Sequence, residues 1–279
     1  MIDVIREMIR EDVGFEDITT DALIDRDMTV KADVISREEG VLAGVDVAEV
    51  MVLDFGIEII KWKHDGDTIK EGDRILTLEG RAYDILKIER TMLNLMMRMS
   101  GIATLTARVL SRARRYSGKV RIAATRKTTP GLQWFEKQAV KIGGGDTHRF
   151  RLDDCAMIKD NHIAIVGDVE EAVKRVREHV SFTKKVEVEV ESPEDAVTAA
   201  EAGADIVLLD NMSPEVIEHI VGELKRRGLR DRVILEASGG IKPENIDRYA
   251  STGVDVISMG FITNSAQPVD LSLEIRAST

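Results

Sequence analysis

Residues 186–211 read VEVEVESPEDAVTAAEAGADIVLLDN, and this stretch decides the fold class. Two short β-rich runs, Val186 to Val190 and Ile206 to Leu209, enclose a helical pattern that begins at Pro193. Proline is favoured at the first position of a helix, and Ser192 before it is a preferred N-cap. A strand, a helix and a second strand in this order indicate parallel strands joined by a right-handed crossover. The stretch therefore predicts an α/β fold with a parallel sheet.

The same alternation extends through the second half of the chain. Four further β-rich runs lie at Val120 to Thr125, Cys155 to Ile158, Val233 to Leu235 and Val254 to Ser258. Helical patterns separate the later runs, at Asp168 to His179, Pro193 to Ala202 and Pro214 to Arg227. Lys242-Pro243-Glu244 predicts one more helix start. Six parallel strands at this spacing predict a barrel or a barrel-like sheet.

The first hundred residues have a different pattern. They predict an amphipathic helix over residues 1–12, strands over Val30 to Val34 and Ile57 to Trp62, and a helix over Val45 to Phe55. The longest helical pattern follows at residues 83–115, where Ser100-Gly101 predicts an interruption. We therefore expect a small α/β domain ahead of the barrel.

Length and composition limit the class of protein. The chain has 279 residues, and a prior of about 150 residues per domain gives two domains. One cysteine excludes a disulfide scaffold, and no apolar run of about 18 residues predicts a membrane span. The first residues lack the basic and apolar regions of a secretion signal, so we expect a soluble cytoplasmic protein. A net charge of −11 argues against binding to nucleic acid or to anionic membranes.

One segment runs against this acidic average. Between Arg121 and Arg151, seven cations stand with only two carboxylates. The segment also contains Gly143-Gly144-Gly145, and glycines allow the backbone to approach a ligand closely. A solvated basic face and a site for a small anion are both consistent with this composition.

In α/β barrels the chemistry collects at the carboxyl ends of the strands. Charged or glycine-rich residues follow or end all six predicted strands: Arg126 and Lys127; Lys159, Asp160, Asn161 and His162; Glu187, Glu189 and Glu191; Asp210 and Asn211; Glu236 to Gly240; Met259 and Gly260. Charged or glycine-rich ends at all six strands are improbable by chance, so we expect one functional site at this edge of the barrel.

These residues fall into chemical groups. Ser238-Gly239-Gly240 ahead of the predicted helix at Pro243, together with Gly260, is suited to a phosphate. Glu189 and Asp210 are oxygen ligands suited to Mg²⁺ or to ribose hydroxyls. A set of cations is suited to more than one carboxylate: Arg90, Arg126, Lys127, His148, Arg149 and Lys159. Together they describe a phosphoribosyl donor that meets an acidic acceptor.

Several ordered motifs carry a resemblance to a known family. They are Glu89-Arg90-Thr91, Thr125-Arg126-Lys127-Thr128-Thr129-Pro130-Gly131, His148-Arg149, Ile158-Lys159-Asp160-Asn161-His162, Glu187-Val188-Glu189, Leu209-Asp210-Asn211 and Glu236-Ala237-Ser238-Gly239-Gly240. Across nearly its whole length the chain closely resembles quinolinate phosphoribosyltransferase, also called nicotinate-nucleotide pyrophosphorylase (carboxylating). Ala124 and Thr147 depart from the residues that are frequent in the family at those positions.

The resemblance implies an N-terminal α/β sandwich domain over residues 1–104 and a C-terminal open α/β barrel of about six strands over residues 105–279. It leaves open that the extreme C-terminus packs back on the first domain. It also implies a homodimer or a dimer-based oligomer, in which Arg90 reaches the site of the neighbouring subunit.

The resemblance also implies roles for the residues. Arg90, Arg126, Lys127, His148, Arg149 and Lys159 match quinolinate-binding residues, and Glu189, Asp210, Ser238, Gly239, Gly240 and Gly260 match phosphoribosyl-binding ones. We expect Lys127, Lys159, Glu189 and Asp210 to be catalytic, with Mg²⁺ held by Glu189 and Asp210. The implied reaction transfers a phosphoribosyl group from 5-phosphoribosyl-1-pyrophosphate (PRPP) to quinolinate and releases CO₂ and pyrophosphate. The product, nicotinate mononucleotide, is a precursor of NAD.

Three alternatives remain at this point. A nicotinate phosphoribosyltransferase, or a paralogue with another acidic acceptor, has the same fold. A barrel lyase or isomerase would use Lys159 as a Schiff base. A carrier protein would explain the lipoyl-like pattern at residues 63–76, although that pattern lacks the acceptor lysine. The role of His162 is open.

Overall fold

The computed structural model describes residues 1–276. Its strands are β1 Thr29–Ser36, β2 Gly40–Val41, β3 Glu58–Lys61, β4 Thr68–Ile69, β5 Arg74–Arg81, β6 Arg121–Ala124, β7 Ala156–Ile158, β8 Val186–Val190, β9 Ile206–Asp210, β10 Ile234–Ser238, β11 Val256–Met259 and β12 Leu271–Arg276. Its α-helices are α1 Ile2–Val13, α2 Ile18–Leu23, α3 Val45–Asp54, α4 Ala82–Ala113, α5 Gln133–Ile142, α6 Asp160–Val166, α7 Val169–His179, α8 Pro193–Glu201, α9 Pro214–Arg226, α10 Ile246–Ala250 and α11 Phe261–Asn264.

The described residues form two compact units. The first comprises Met1–Ala107, Pro130–Gly144 and the segment that begins at Ser265. The second, called the barrel unit below, comprises Arg108–Thr129 and Gly145–Asn264. The sequence-based division into residues 1–104 and 105–279 did not assign 130–144 to the first unit, and residues 277–279 lie outside the described residues.

The first unit contains an antiparallel sheet in the order β12-β1-β5-β3 and a two-stranded sheet of β2 and β4. The C-terminal strand β12 pairs with β1 from Lys31 opposite Arg276 to Ser36 opposite Leu271. Ala32 and Val34 on β1 are fully buried, as their alternation with polar residues predicts. The C-terminal segment therefore completes the sheet begun near the N-terminus.

The predicted interruption at Ser100-Gly101 is wrong, because α4 continues through both residues for 32 residues in all. Ser100 Oγ accepts a hydrogen bond from the backbone N–H of Ala43 at 2.9 Å. A Cβ on Gly101 would lie 2.0 Å from the carbonyl oxygen of Gln267. The two small residues thus serve close backbone packing against the helix, which the sequence pattern did not distinguish from a break.

The barrel unit contains six parallel strands in the order β6-β11-β10-β9-β8-β7, which confirms the predicted α/β class and barrel-like sheet. On β8, Val186, Val188 and Val190 are buried. Glu187 and Glu189 alternate with these valines and line cavities within the curved sheet. The strand is therefore enclosed on both faces, as parallel strands usually are.

Two of the three predicted proline helix starts are confirmed. Pro193 begins α8 and Pro214 begins α9, each capped by the serine before it. The third is wrong, because α10 begins at Ile246 instead of Pro243. Asn245 accepts a hydrogen bond from the Lys242 N–H at 2.8 Å and donates one to the Gly240 carbonyl at 3.2 Å. These bonds hold the segment as a turn.

Membrane-spanning character is absent from the helices of residues 1–276. None of them combines the length and the apolar composition that crossing a bilayer requires. The longest helix, α4, carries charged residues along its length, including Asp84 in its first turn and Arg112 in its last.

Candidate active site

A cavity of about 380 Å³ lies at the carboxyl ends of the barrel strands. It is lined by eight of the residues predicted from the sequence: Arg126, Lys127, His148, Arg149, Lys159, Glu189, Asp210 and Ser238. Thr125, Met157, Leu208, Glu236 and Ser258 complete most of the lining. Because every one of these residues belongs to the barrel unit, the unit brings together cations, carboxylates and a serine from separate strands.

Arg126 and Lys127 lie in the loop after β6 and are both exposed. The Lys127 N–H donates to Thr125 Oγ1 at 3.1 Å, and its carbonyl accepts from Thr263 Oγ1 at 2.9 Å. A Cβ on Gly260 would lie 2.9 Å from Lys127 Cδ. Gly260 therefore leaves room for the Lys127 side chain, a role different from the approach to phosphate that the sequence predicts.

Lys159 joins the cationic and acidic parts of the cavity. Its Nζ forms an ion pair with Glu189 Oε2, and the residue itself is the N-cap of α6. The Lys159 N–H donates to His162 Nδ1 at 2.9 Å. His162 therefore contacts Lys159 through the backbone, which gives this histidine a local role in holding the lysine at the start of the helix.

Asp210 and Ser238 end neighbouring strands and are direct partners in the β9–β10 register. Asn211 Nδ2 donates to Asp210 Oδ2 at 2.8 Å, and Ser258 Oγ donates to Ser238 Oγ at 3.0 Å. A Cβ on Gly239 would lie 2.3 Å from Asn211 Oδ1. Gly239 is required by this approach of Asn211, and no long helix follows to add a dipole at the Ser238-Gly239-Gly240 turn.

His148 and Arg149 lie in the loop before β7, and His148 has a left-handed backbone with φ of 51°. Its Nε2 lies 3.2 Å from Glu236 Oε2 and 3.5 Å from Glu187 Oε1. Burial alone lowers the pKa of His148, but the attraction of the two nearby glutamates outweighs burial and raises the pKa to about 10. The Arg149 guanidinium is nearly buried and donates to the Cys155 carbonyl at 3.2 Å.

A second cavity, of about 460 Å³, extends to the amino ends of the same strands and shares His148, Arg149 and Glu236 with the first. Its lining includes Arg121, Ile206 and Ile234, which are the first residues of their strands. Cys155 also lines it and is half-buried, and burial raises the pKa of its thiol to about 11. A thiol with this pKa is a poor nucleophile near neutral pH.

Several predicted residues do not line the 380 Å³ cavity. Arg90 is exposed on α4 in the first unit, 3.6 Å from Glu89. Gly239, Gly240 and Gly260 flank the lining residues in sequence. Lys137 and Lys141, from the basic segment, lie on α5 in the first unit, and Lys137 is fully buried. The positive run therefore does not form a single site.

Sequence reasoning gave no role to Glu187 and Glu236. Both are charged residues within otherwise apolar strands, and they are 0% and 2% exposed. A glutamate flanked by buried apolar residues is the signal that could have identified them, because such a position is costly without a partner.

Two family models match the chain: "Quinolinate phosphoribosyl transferase, N-terminal domain" over residues 17–100 and "Quinolinate phosphoribosyl transferase, C-terminal domain" over residues 102–274. The chain belongs to the quinolinate phosphoribosyl transferase family. This confirms the family, the enzyme class and the fold that the sequence predicts.

Similar proteins agree with this placement in the quinolinate phosphoribosyl transferase family. A probable nicotinate-nucleotide pyrophosphorylase (carboxylating) from Methanothermobacter thermautotrophicus is 77% identical and is aligned over 99% of both chains. Another from Methanocaldococcus jannaschii is 48% identical over 98% of this chain and 96% of its own. The solved nicotinate-nucleotide pyrophosphorylase from Francisella tularensis is 37% identical, with a TM-score of 0.90, over 98% of this chain and 95% of that one.

Proposed function

We propose that the protein transfers the phosphoribosyl group of PRPP to quinolinate, with decarboxylation, and so forms nicotinate mononucleotide, pyrophosphate and CO₂ for NAD synthesis. The observation that supports this most is the composition of the 380 Å³ cavity, where Arg126, Lys127 and Arg149 lie with Glu189 and Asp210. Cations are suited to the dicarboxylate, and carboxylates to the hydroxyls of the ribose.

In the proposed complex, quinolinate lies among the cations. Arginine presents paired N–H donors that match a carboxylate, and quinolinate carries two carboxylates. Arg126, Lys127, Arg149 and Lys159 all line one cavity and supply enough cations for both groups. Holding both carboxylates orients the ring nitrogen toward the donor sugar, which is the main contribution that positioning makes to such a reaction.

The donor lies on the side of Glu189, Asp210 and Ser238. Attack by the ring nitrogen on C1′ forms the N–C1′ bond, and the C1′–O bond breaks as pyrophosphate leaves with its electron pair. Positive charge develops on the ribose in this step, and the nearby carboxylates stabilise it. The Lys159 and Lys127 ammonium groups then lie where they can neutralise anionic groups of either substrate.

Mg²⁺ fits the two carboxylates of this cavity. Glu189 and Asp210 both line it, and Mg²⁺ is commonly held by one or two carboxylates together with substrate phosphates. When bound with PRPP, it supplies charge neutralisation for the leaving pyrophosphate. In the protein alone Glu189 is already paired with Lys159, so we expect firm Mg²⁺ binding only with the diphosphate present.

Decarboxylation needs little from the protein beyond orientation. Transfer leaves a positive charge on the ring nitrogen, adjacent to C2. When the bond from C2 to its carboxylate breaks, CO₂ leaves, the electron pair stays on C2 beside that charge, and C2 then takes a proton from water. Binding of the remaining carboxylate and of the 5′-phosphate keeps the ring in place.

We also propose a homodimer in which Arg90 of one chain enters the site of the other. Arg90 is 58% exposed at its side chain on α4, and its nearest carboxylate is the sequence neighbour Glu89. An exposed arginine of this kind is available to an anion bound elsewhere.

A cytoplasmic location accords with the substrates, which are small metabolites.

One assay tests the proposed function. Purified protein is incubated with PRPP, Mg²⁺ and either quinolinate or nicotinate, and pyrophosphate and CO₂ are measured. We expect equal amounts of both products from quinolinate and none from nicotinate. Pyrophosphate without CO₂, formed from nicotinate alone, would establish the nicotinate phosphoribosyltransferase alternative. In a separate assay with an aldehyde or ketone phosphate, borohydride trapping on Lys159 would establish the Schiff-base alternative.

A further inference from the structure

Two buried glutamates lie beside His148 in the barrel unit, where Glu236 lines the active-site cavity and both glutamates line the 460 Å³ cavity. Glu187 on β8 and Glu236 on β10 are 0% and 2% exposed. Both oxygens of Glu187 and Oε1 of Glu236 have no hydrogen-bond partner among residues 1–276. The one direct hydrogen bond that either carboxylate makes there runs between Glu236 Oε2 and His148 Nε2, at 3.2 Å. Burying a carboxylate without hydrogen-bond partners costs free energy, so the contact between Glu236 and His148 needs a physical explanation.

The hydrogens on His148 are constrained from both sides. The backbone N–H of Arg149 donates to Nδ1 at 2.8 Å, which calls for a lone pair on Nδ1 and therefore a hydrogen on Nε2. The pKa of about 10 calls for a hydrogen on both nitrogens. The two observations disagree on whether Nδ1 carries a hydrogen, but both require a hydrogen on Nε2.

The hydrogen on His148 Nε2 argues against a metal site formed by His148 and the two glutamates. Ligand atoms of His148, Glu187 and Glu236 lie within 4.8 Å of one another, as in a metal centre. A histidine that binds a metal offers a lone pair from one nitrogen and donates from the other. Here the arrangement is reversed, since Nδ1 faces a donor and Nε2 faces carboxylates. The cluster of His148, Glu187 and Glu236 is therefore not a metal centre, and its hydrogen bond from His148 to Glu236 has a structural role.

The hydrogen bond between Glu236 and His148 links strand β10 to a loop that lines the substrate cavity. Glu236 is anchored in β10, whereas His148 and Arg149 lie in the loop before β7. His148 has a left-handed backbone, a strained conformation for a residue with a side chain, and it persists only where its surroundings hold it. Glu236 accepts from Nε2 of His148, and Arg149 is the next residue in the chain, so this one hydrogen bond to β10 restrains the loop at both residues.

We propose that Glu236 is a positioning residue for quinolinate binding, which acts through His148 to hold Arg149 at the acceptor end of the cavity. The inference rests on the proposed function and deepens it. Both ring nitrogens of His148 are occupied within the protein, so His148 serves the substrate mainly by fixing the loop. Arg149 makes the direct contact with a carboxylate.

Kinetics of three variants test this. Glu236→Leu removes the acceptor, and we expect the KM for quinolinate to rise about tenfold, the effect of about 1.4 kcal/mol, with the KM for PRPP changed less than twofold. Glu236→Gln keeps an acceptor oxygen and should stay within threefold of wild type. Glu218→Gln, on an exposed position of α9, is the matched control. An equal rise in both KM values for Glu236→Leu would overturn the proposal.

A double-mutant cycle tests whether the effect passes through His148. We expect His148→Gln combined with Glu236→Leu to be no worse than the poorer single variant, because linked residues are not additive. Additive losses would show that Glu236 acts independently of His148.

¹⁵N NMR of the histidine side chains gives a readout that does not depend on turnover. In the wild type and in Glu236→Gln, His148 should show a hydrogen on Nε2, and this holds as a test even if quinolinate is not the substrate or if Glu236→Leu does not fold. An unprotonated Nε2 would overturn the proposal and leave the proposed function untouched.

Discussion

Arg126 lies exposed beside the cavity, and among the described residues its guanidinium forms no ion pair. We predict that Arg126→Ala folds normally and loses most turnover, with kcat/KM for quinolinate lower by about 100-fold. A charge-assisted hydrogen bond contributes about 1.5–3 kcal/mol, which supports this magnitude. Steady-state kinetics and a thermal melt provide the measurement.

Arg151→Ala is the matched control for Arg126. Arg151 belongs to the same basic segment and is exposed, but its partner is Asp153 at 3.5 Å and it does not line the cavity. We expect activity within twofold of wild type. If Arg126→Ala retained the same activity as this control, Arg126 would have no place in the site.

Glu189 is the carboxylate that links both halves of the cavity through Lys159. We predict that Glu189→Gln raises the KM for PRPP about tenfold and weakens the response to Mg²⁺, because a hard oxygen ligand is lost. Titration of Mg²⁺ at fixed PRPP measures this. Glu191→Gln, two residues further along at an exposed position, should leave both unchanged. An unaltered Mg²⁺ response in Glu189→Gln would contradict the role given to Glu189.

At the scale of elements, two glycines in helices predict opposite effects of the same substitution. In α4, Gly101→Ala places a methyl group 2.0 Å from the Gln267 carbonyl oxygen, so we expect destabilisation of about 3 kcal/mol, the upper end for overpacking. In α9, an added Cβ on Gly222 would have no heavy atom of the described residues within 4 Å, apart from its chain neighbours and the backbone of its own helix. Gly222→Ala should therefore stabilise by about 0.5–1 kcal/mol, through helix propensity alone.

Denaturant unfolding followed by circular dichroism measures both glycine variants. A Gly101→Ala protein as stable as the wild type would mean that the segment near Gln267 does not pack closely on α4. The comparison also separates packing from propensity, since both variants have the same gain in intrinsic helix preference.

At the scale of the whole molecule, the proposed dimer makes a prediction for mixed variants. Arg90→Ala and Arg126→Ala should each lose most of the activity when present alone. If Arg90 acts across the interface, a dimer containing one chain of each kind has one complete site, on the chain that retains Arg126. Random mixing then restores about a quarter of the sites, because half the dimers are mixed and each has one such site.

The mixing experiment has a clear contrary outcome. If Arg90 acts within its own chain, neither site of a mixed dimer is complete, and no activity returns. Refolding the two variants together and measuring pyrophosphate release distinguishes the cases, with size-exclusion chromatography to follow dimer formation.

Much of the barrel could be predicted because its elements carry local patterns. The strands at Val186–Val190 and Ile206–Asp210 were expected almost to the residue, since β-rich runs ended by Asp or Ser are local signals. The helix starts at Pro193 and Pro214 were also expected. The errors at Ser100-Gly101 and Pro243 came from tertiary contacts, namely the approach of Gln267 and the hydrogen bonds of Asn245.

The sequence alone determined the α/β class, the six parallel strands and the ordered motifs that identify the family, because periodicity and motif order are properties of the chain. Only the tertiary structure decided which of these residues share one cavity. It separated Lys137 and Lys141 from the site and placed Glu187 and Glu236 beneath His148. The reason is physical: the curvature of the sheet brings distant strand ends together, and no local pattern encodes that distance.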